Sequence, residues 1–157
     1  MSAETDLNQR TKEDDEPMHT TEHILNQTMI RVFGCGRCFS AHIERKKSKC
    51  DYKMEIAPSE AQMAEVEKRV NEIISQNLPV TAEIISRQKA SELFDLSRLP
   101  EEAGDTLRVV KVGDYDICPC IGKHVSNTSE IAQRGKFKII SYDHNATVLR
   151  VRFKLQN

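Results

Sequence analysis

Two short ligand pairs, about a hundred residues apart, constrain this chain more than any other feature. His19 and His23 stand four apart near the start, in His19-Thr20-Thr21-Glu22-His23. Cys120 and His124 stand four apart near the end, in Cys120-Ile121-Gly122-Lys123-His124. Side chains at i and i+4 of a helix lie about one turn apart on the same side, so two imidazoles spaced this way reach one ion. Each pair alone has an ordinary reading: solvated histidines on a helix face, or a buried cysteine beside a capping histidine. Together they demand a fold that returns a loop from the far end of the chain to the first helix. Imidazole and thiolate are the donors Zn²⁺ prefers, four in a tetrahedron or three with an open position, and a His₃Cys set suits its borderline softness. Cys118, two residues before Cys120, is an alternative ligand.

The elements that would carry these pairs follow from periodicity. Ile24, Leu25, Thr28, Met29 and Val32 form one helical stripe that ends at Phe33-Gly34. At about 100° per residue, His19, His23, Asn26 and Ile30 fall on the roughly opposite face, outside that stripe. Phe39 to Glu44 and Cys50 to Ile56 alternate apolar and polar residues around Lys46-Lys47-Ser48, which predicts an antiparallel hairpin. Ser59 with Gln62 makes a capping box for a long helix burying Met63, Val66, Val70, Ile73 and Ile74. Val80–Ser86 reads as a strand, Lys89–Phe94 as a short helix, and Leu107–Val112 as a strand feeding the loop of Cys120 and His124. Lys136–Ser141 and Thr147–Leu155 predict a closing hairpin that turns at Asp143-His144-Asn145. The sum is an α+β fold, two main helices packed on one largely antiparallel sheet, with residues 18–157 forming a single domain.

Residues 1–17 hold six acids and two bases, with no apolar periodicity, and read as a disordered acidic tail. The rest of the chain then carries 21 bases against 18 acids, a mildly basic body suited to a polyanion. No apolar run is long enough to span a membrane, and the polar N-terminus is not a secretory signal. The five cysteines are odd in number, which favours a reducing compartment and metal or reactive thiols over a disulfide framework. A cytoplasmic protein is expected. Cys35-Gly36-Arg37-Cys38 offers half of another metal site or a redox pair, set against ordinary turn cysteines. Basic residues gather at Arg45, Lys46, Lys47 and Lys49, at Arg134, Lys136 and Lys138, and at Arg150, Arg152 and Lys154. Such clusters grip phosphate backbones, but they also keep strand edges soluble. Lys46, Lys47, Lys49, Arg134 and Lys136 are the candidates for nucleic-acid contact.

With both pairs in place, the chain resembles the second additional domain of threonyl- and alanyl-tRNA synthetases and of freestanding alanyl-tRNA editing proteins. Val66-Glu67-Lys68-Arg69-Val70-Asn71-Glu72-Ile73-Ile74 with Asn77-Leu78-Pro79-Val80 is similar to the family's long helix and following strand. Arg108-Val109-Val110-Lys111-Val112-Gly113 is similar to the strand before its cysteine. Cys120-Ile121-Gly122-Lys123-His124-Val125 resembles Cys-Gly-Gly-Thr-His-Val, and Asn127-Thr128-Ser129-Glu130-Ile131 resembles Asn-Thr-Gly-Glu-Ile. Gly135-Lys136-Phe137-Lys138-Ile139-Ile140 extends the likeness, which covers about residues 18–155 in collinear order.

The resemblance implies Zn²⁺ held by His19, His23, Cys120 and His124, and hydrolysis of the ester in mischarged aminoacyl-tRNA, typically carrying serine or glycine. It implies aminoacyl-tRNA as partner, with no DNA and no membrane. Pocket candidates are Thr20, Glu22 and Lys123. Three departures bear on substrate choice: Glu22 stands where a small hydroxyl residue is usual, Phe39 with Ala41-His42 where Gln and Gly-Ser are usual, and Ile121 and Lys123 where glycine and threonine are usual. Two other functions compete. One is a non-catalytic zinc-containing module that binds tRNA or a protein through a repurposed pocket; the other is a hydrolase of a small aminoacyl ester.

Overall fold

The computed structural model describes residues 15–94 and 104–157. Among these described residues, four helices and seven strands follow in order: α1 (Glu16–Phe33), β1 (Ser40–His42), β2 (Ser48–Lys53), α2 (Glu60–Ile74), β3 (Val80–Ser86), α3 (Arg87–Leu93), β4 (Thr106–Val112), β5 (Asp116–Pro119), α4 (Ser129–Arg134), β6 (Lys136–Asn145) and β7 (Val148–Gln156). The expected α+β class holds. The strands divide into two sheets where one was expected, β1-β2-β7-β6 and β3-β4-β5, with every paired neighbour antiparallel.

α1 starts earlier than periodicity suggests, because Asp15 caps it and Pro17 sits in its first turn. Asp15 accepts a hydrogen bond from the Met18 N–H at 3.2 Å, and proline's fixed φ and missing donor fit a helix start. Asp15, Glu16 and Pro17 therefore belong to the helix and its cap, while the rest of the acidic tail, residues 1–14, lies outside the described residues. Gly34 ends α1 in the left-handed region at φ 71°, with its N–H on the Ile30 carbonyl. α2 shows both halves of the Ser59–Gln62 capping box, and its buried stripe is Met63, Val66, Val70 and Ile74.

One core joins these layers. Ile24, Leu25 and Met29 of α1, Val66 and Val70 of α2, and Tyr52, Leu149, Val151 and Phe153 of the four-stranded sheet are all buried together. β4 joins it through Val110 and Val112, so both sheets meet the same interior. A smaller cluster of Ile85, Ala90 and Val109 holds α3 on the second sheet.

The closing hairpin turns later than its composition suggests. Asp143, His144 and Asn145 are paired in β6 with Arg150, Leu149 and Val148, and the chain reverses at Ala146-Thr147, where Ala146 has φ 56°. Side chains fix that register: Arg152 donates to Asp143 at 2.8 Å and His144 Nε2 donates to the Met54 carbonyl at 2.7 Å.

Candidate metal centre

The first ligand pair does not lie on a solvated face. His19 and His23 are 2% and 3% exposed, so the face opposite the apolar stripe of α1 is buried too. What covers it is the segment after β5. Cys120 and His124 return to α1, and one donor atom from each of His19, His23, Cys120 and His124 lies within 4.8 Å of the others. The His19 and His124 rings stack at 4.1 Å between centroids, and His23 meets His124 edge-on at 4.4 Å.

The loop is pinned by contacts that also orient the imidazoles. His19 Nδ1 lies 3.1 Å from the Lys123 carbonyl, which only accepts, so Nδ1 carries the proton and Nε2 presents its lone pair. That Nε2 is 3.5 Å from Cys120 Sγ. A tetrahedral ion about 2.3 Å from sulfur and about 2.0 Å from nitrogen sets its donors about 3.5 Å apart. Thr20 Oγ1 accepts from the Val125 N–H at 3.2 Å and sits 2.9 Å from His124 Nδ1. His124 Nε2 is buried with no hydrogen-bond partner, whereas His23 Nδ1 is turned towards a carboxylate described below. Buried polar atoms without partners are rare and ask for an explanation, and an ion bound by the cluster supplies one. The donor set and its spacing fit Zn²⁺.

Gly122 is the position the loop cannot exchange. A Cβ there would stand 2.2 Å from His19 Cε1 and 2.8 Å from Nδ1, so any side chain would push the imidazole out of the cluster. Arg108 on β4 braces the same loop, donating through Nη1 to the Cys120 carbonyl at 2.7 Å and the Gly122 carbonyl at 2.9 Å.

Behind His23 lies a carboxylate that the sequence pattern does not signal. Asp116 on β5 is 3.7 Å from His23 Nδ1, an ion-pair distance. Arg37 grips Asp116 with two bonds, 2.8 and 3.1 Å, and Gln27 adds a third at 2.9 Å. Burial disfavours the Asp116 carboxylate, but His23 and Arg37 outweigh it and hold its pKa well below the usual range. Burial also disfavours charge on His23, yet Asp116 and the Cys120 thiolate raise its pKa to about 9. Burial raises the Cys120 thiol, but the imidazoles of His124, His19 and His23 overcome it and bring the thiol down to about 2. Burial lowers His124 to about 4 against the pull of Cys120. Without metal, the cluster at neutral pH thus pairs a thiolate with a protonated His23. Arg37 lies inside Cys35-Gly36-Arg37-Cys38, a motif whose thiols give no sign of the pairing with Asp116.

The remaining candidates are distributed as follows. Thr20 faces His124 and the loop backbone. Glu22 is buried, with Oε1 3.7 Å from His19 Nε2. The Lys123 side chain is exposed while its carbonyl holds His19. Cys118 stands outside the converging set; its thiol is pushed up to about 12 by burial, opposed by Arg37. Lys46 and Lys47 are exposed between β1 and β2, Lys49 is half-buried in β2, and Lys136 is exposed at the start of β6. Arg134 is bonded to Asp15 and Arg150 to Asp51, which favours the structural reading of those two cations. Among the described residues no helix is long and apolar enough to cross a membrane.

Comparison with known proteins adds an independent finding. Residues 107–152 match the model of the threonyl and alanyl tRNA synthetase second additional domain. The alanine–tRNA ligase of Fervidobacterium nodosum is 36% identical over 124 residues, 78% of this chain and 14% of the ligase. That of Caldicellulosiruptor saccharolyticus is 33% identical over 133 residues, 84% of this chain and 15% of the ligase. The Bacillus subtilis enzyme is 32% identical over 124 residues, again 78% and 14%. The chain therefore spans about one seventh of the length of these relatives.

Proposed function

From the premise that this chain carries the second additional domain of threonyl and alanyl tRNA synthetases, we propose that it is a zinc-dependent hydrolase of mischarged aminoacyl-tRNA. The observation that carries the reading is the meeting of His19, His23, Cys120 and His124, with the buried His124 Nε2 left without a hydrogen-bond partner. Zn²⁺ held by these four residues would supply Lewis acidity and a fixed positive charge beside the ester. The protein's own contribution is orientation. The Lys123 carbonyl aims His19, Thr20 sets His124 and the loop, and Arg37 with Gln27 holds Asp116 behind His23. Outer partners of this kind fix ring orientation and raise ligand basicity.

The polyanionic part of the substrate is assigned to the exposed Lys46, Lys47 and Lys136, with Lys49 beside them. Specificity falls to the residues around the centre. A carboxylate at Glu22, 3.7 Å from His19 Nε2, makes the pocket more acidic than a hydroxyl would, and favours the substrate's ammonium group over a neutral side chain.

The test is release of the amino acid from serine-, glycine-, alanine- and threonine-charged tRNA, with His23→Ala as control. Release from one charged tRNA, abolished by His23→Ala, is expected. A second reading, a zinc-containing binding module, is favoured by the same Glu22, because that residue replaces a pocket hydroxyl. It takes precedence if the protein binds zinc and tRNA yet releases nothing from any of the four.

A further inference from the structure

Beside the four-ligand cluster lies a second convergence. Glu22, Cys38 and Cys50 bring one carboxylate oxygen and two sulfurs within 4.8 Å of one another. They come from separate stretches: α1, the Cys35-Gly36-Arg37-Cys38 segment, and the middle of β2. Cys50 is fully buried, Glu22 is 4% exposed and Cys38 is half-buried. Buried cysteines ordinarily pack as small apolar side chains. Here Cys38 Sγ donates to Glu22 Oε2 at 3.3 Å, and Cys50 Sγ lies within 4.8 Å of both.

The donors are held where they stand. The Cys38 N–H bonds to Asn26 Oδ1 at 3.4 Å, and the buried Tyr52 hydroxyl donates to the same oxygen at 2.6 Å. Cys50 is locked in β2 between Ala41 of β1 and Val151 of β7. Two thiols and a carboxylate form a donor set for a borderline-soft cation, and three protein ligands leave a fourth position open. The two clusters also touch, because Glu22 turns Oε2 towards Cys38 and Oε1 towards His19.

We propose that Glu22, Cys38 and Cys50 bind a second thiophilic divalent cation of the Zn²⁺ class beside the four-ligand centre. Two Sγ–metal bonds and one carboxylate–metal bond form, and the two thiols release their protons to solvent. The fourth position would take water or a ligand oxygen. This site needs no editing substrate, but it takes Glu22, so an ion bound here would occupy the carboxylate assigned above to the substrate's ammonium group.

Cobalt distinguishes the two centres, since each thiolate ligand adds to the thiolate-to-Co²⁺ absorption. The full chain, loaded with Co²⁺ alone under a phosphine reductant, is expected to hold two ions with the absorption of three thiolates. Cys38→Ala/Cys50→Ala should keep one ion and one third of that absorption. Cys120→Ser/His124→Ala should keep one ion and two thirds of it, a pattern that also reports failure of the four-ligand centre separately. Cys38→Ser alone, at a half-buried position, covers the case in which loss of Cys50 unfolds the chain; it should lower the second ion's occupancy with the helical circular dichroism unchanged. One ion per chain in the unmodified protein, with absorption indifferent to Cys38 and Cys50, overturns the proposal.

Discussion

The four-stranded sheet buries Tyr52, Leu149, Val151 and Phe153 completely, whereas the three-stranded sheet leaves Thr81 to Ile84 of β3 exposed and rests on a small cluster around Val109. The candidate metal loop continues from the second, thinner sheet. It is held to α1 chiefly by polar contacts: His19 on the Lys123 carbonyl, Thr20 on His124 and Val125, and Arg108 on two loop carbonyls. Although Val110, Val112, Cys120 and Val125 share the main core, the comparison teaches that most of the packing sits in the first sheet while polar contacts set the exact placement of the loop. A defect in one need not appear in the other.

The strongest way to break that division is Phe153→Ala. Phe153 is fully buried against Phe137, 5.5 Å between ring centroids, and the truncation should cost about 3–5 kcal/mol. Urea unfolding would show the loss, while zinc stoichiometry of the protein that remains folded should not change. If zinc is lost in proportion, the two regions are one cooperative unit.

Gly122→Ala tests the other side. The new methyl must displace His19 or the loop, at about 1–3 kcal/mol locally, and zinc content should collapse with only a modest fall in the unfolding midpoint. Asp116→Asn comes next. Losing the charge behind His23 should weaken zinc about 10–100-fold, measured by competition with a chromophoric chelator. Unchanged affinity would make Asp116 merely the partner of Arg37.

The pH dependence has a defined sign. Metal-free His23 keeps its proton up to about 9, while Cys120 is already a thiolate and His124 already neutral at pH 7. Zinc must therefore displace one proton, and its affinity should rise about tenfold per pH unit from 7 towards 9, then level off. Isothermal titration in buffers of different ionisation enthalpy would count that proton. The smallest effect expected is from Arg152→Ala, a half-buried partner of the exposed Asp143, at about 0.2–1 kcal/mol with zinc binding untouched.

What the sequence made legible was local. The Ser59–Gln62 box fixes the start of α2 to the residue, and the limits of β3 follow from its β-branched run ended by Ser86. The four converging ligands were legible because i, i+4 spacing is itself geometry. β5 was not: Asp116-Ile117-Cys118-Pro119 is short and holds a proline, so it lacks an alternating signature, and its pairing with β4 comes from topology. α4, six residues long, is too brief for periodicity to register. Asp143-His144-Asn145 reads as a turn by composition but is drawn into β6 by partners on β7 and after β2. The supports of the centre were hidden for a similar reason. Arg37 meets Asp116 across 79 residues and Thr20 meets His124 across 104, and no local pattern encodes such contacts.

Asp15 does more than cap α1. Its carboxylate also takes Arg134 at the end of α4 and Arg45 before β2, so one side chain fastens three separate stretches. For anyone trimming the chain, this draws a sharp line. Cutting after residue 14 leaves the fastening intact. Cutting one residue further removes the cap of the very helix that presents His19 and His23, and frees two arginines at the same stroke.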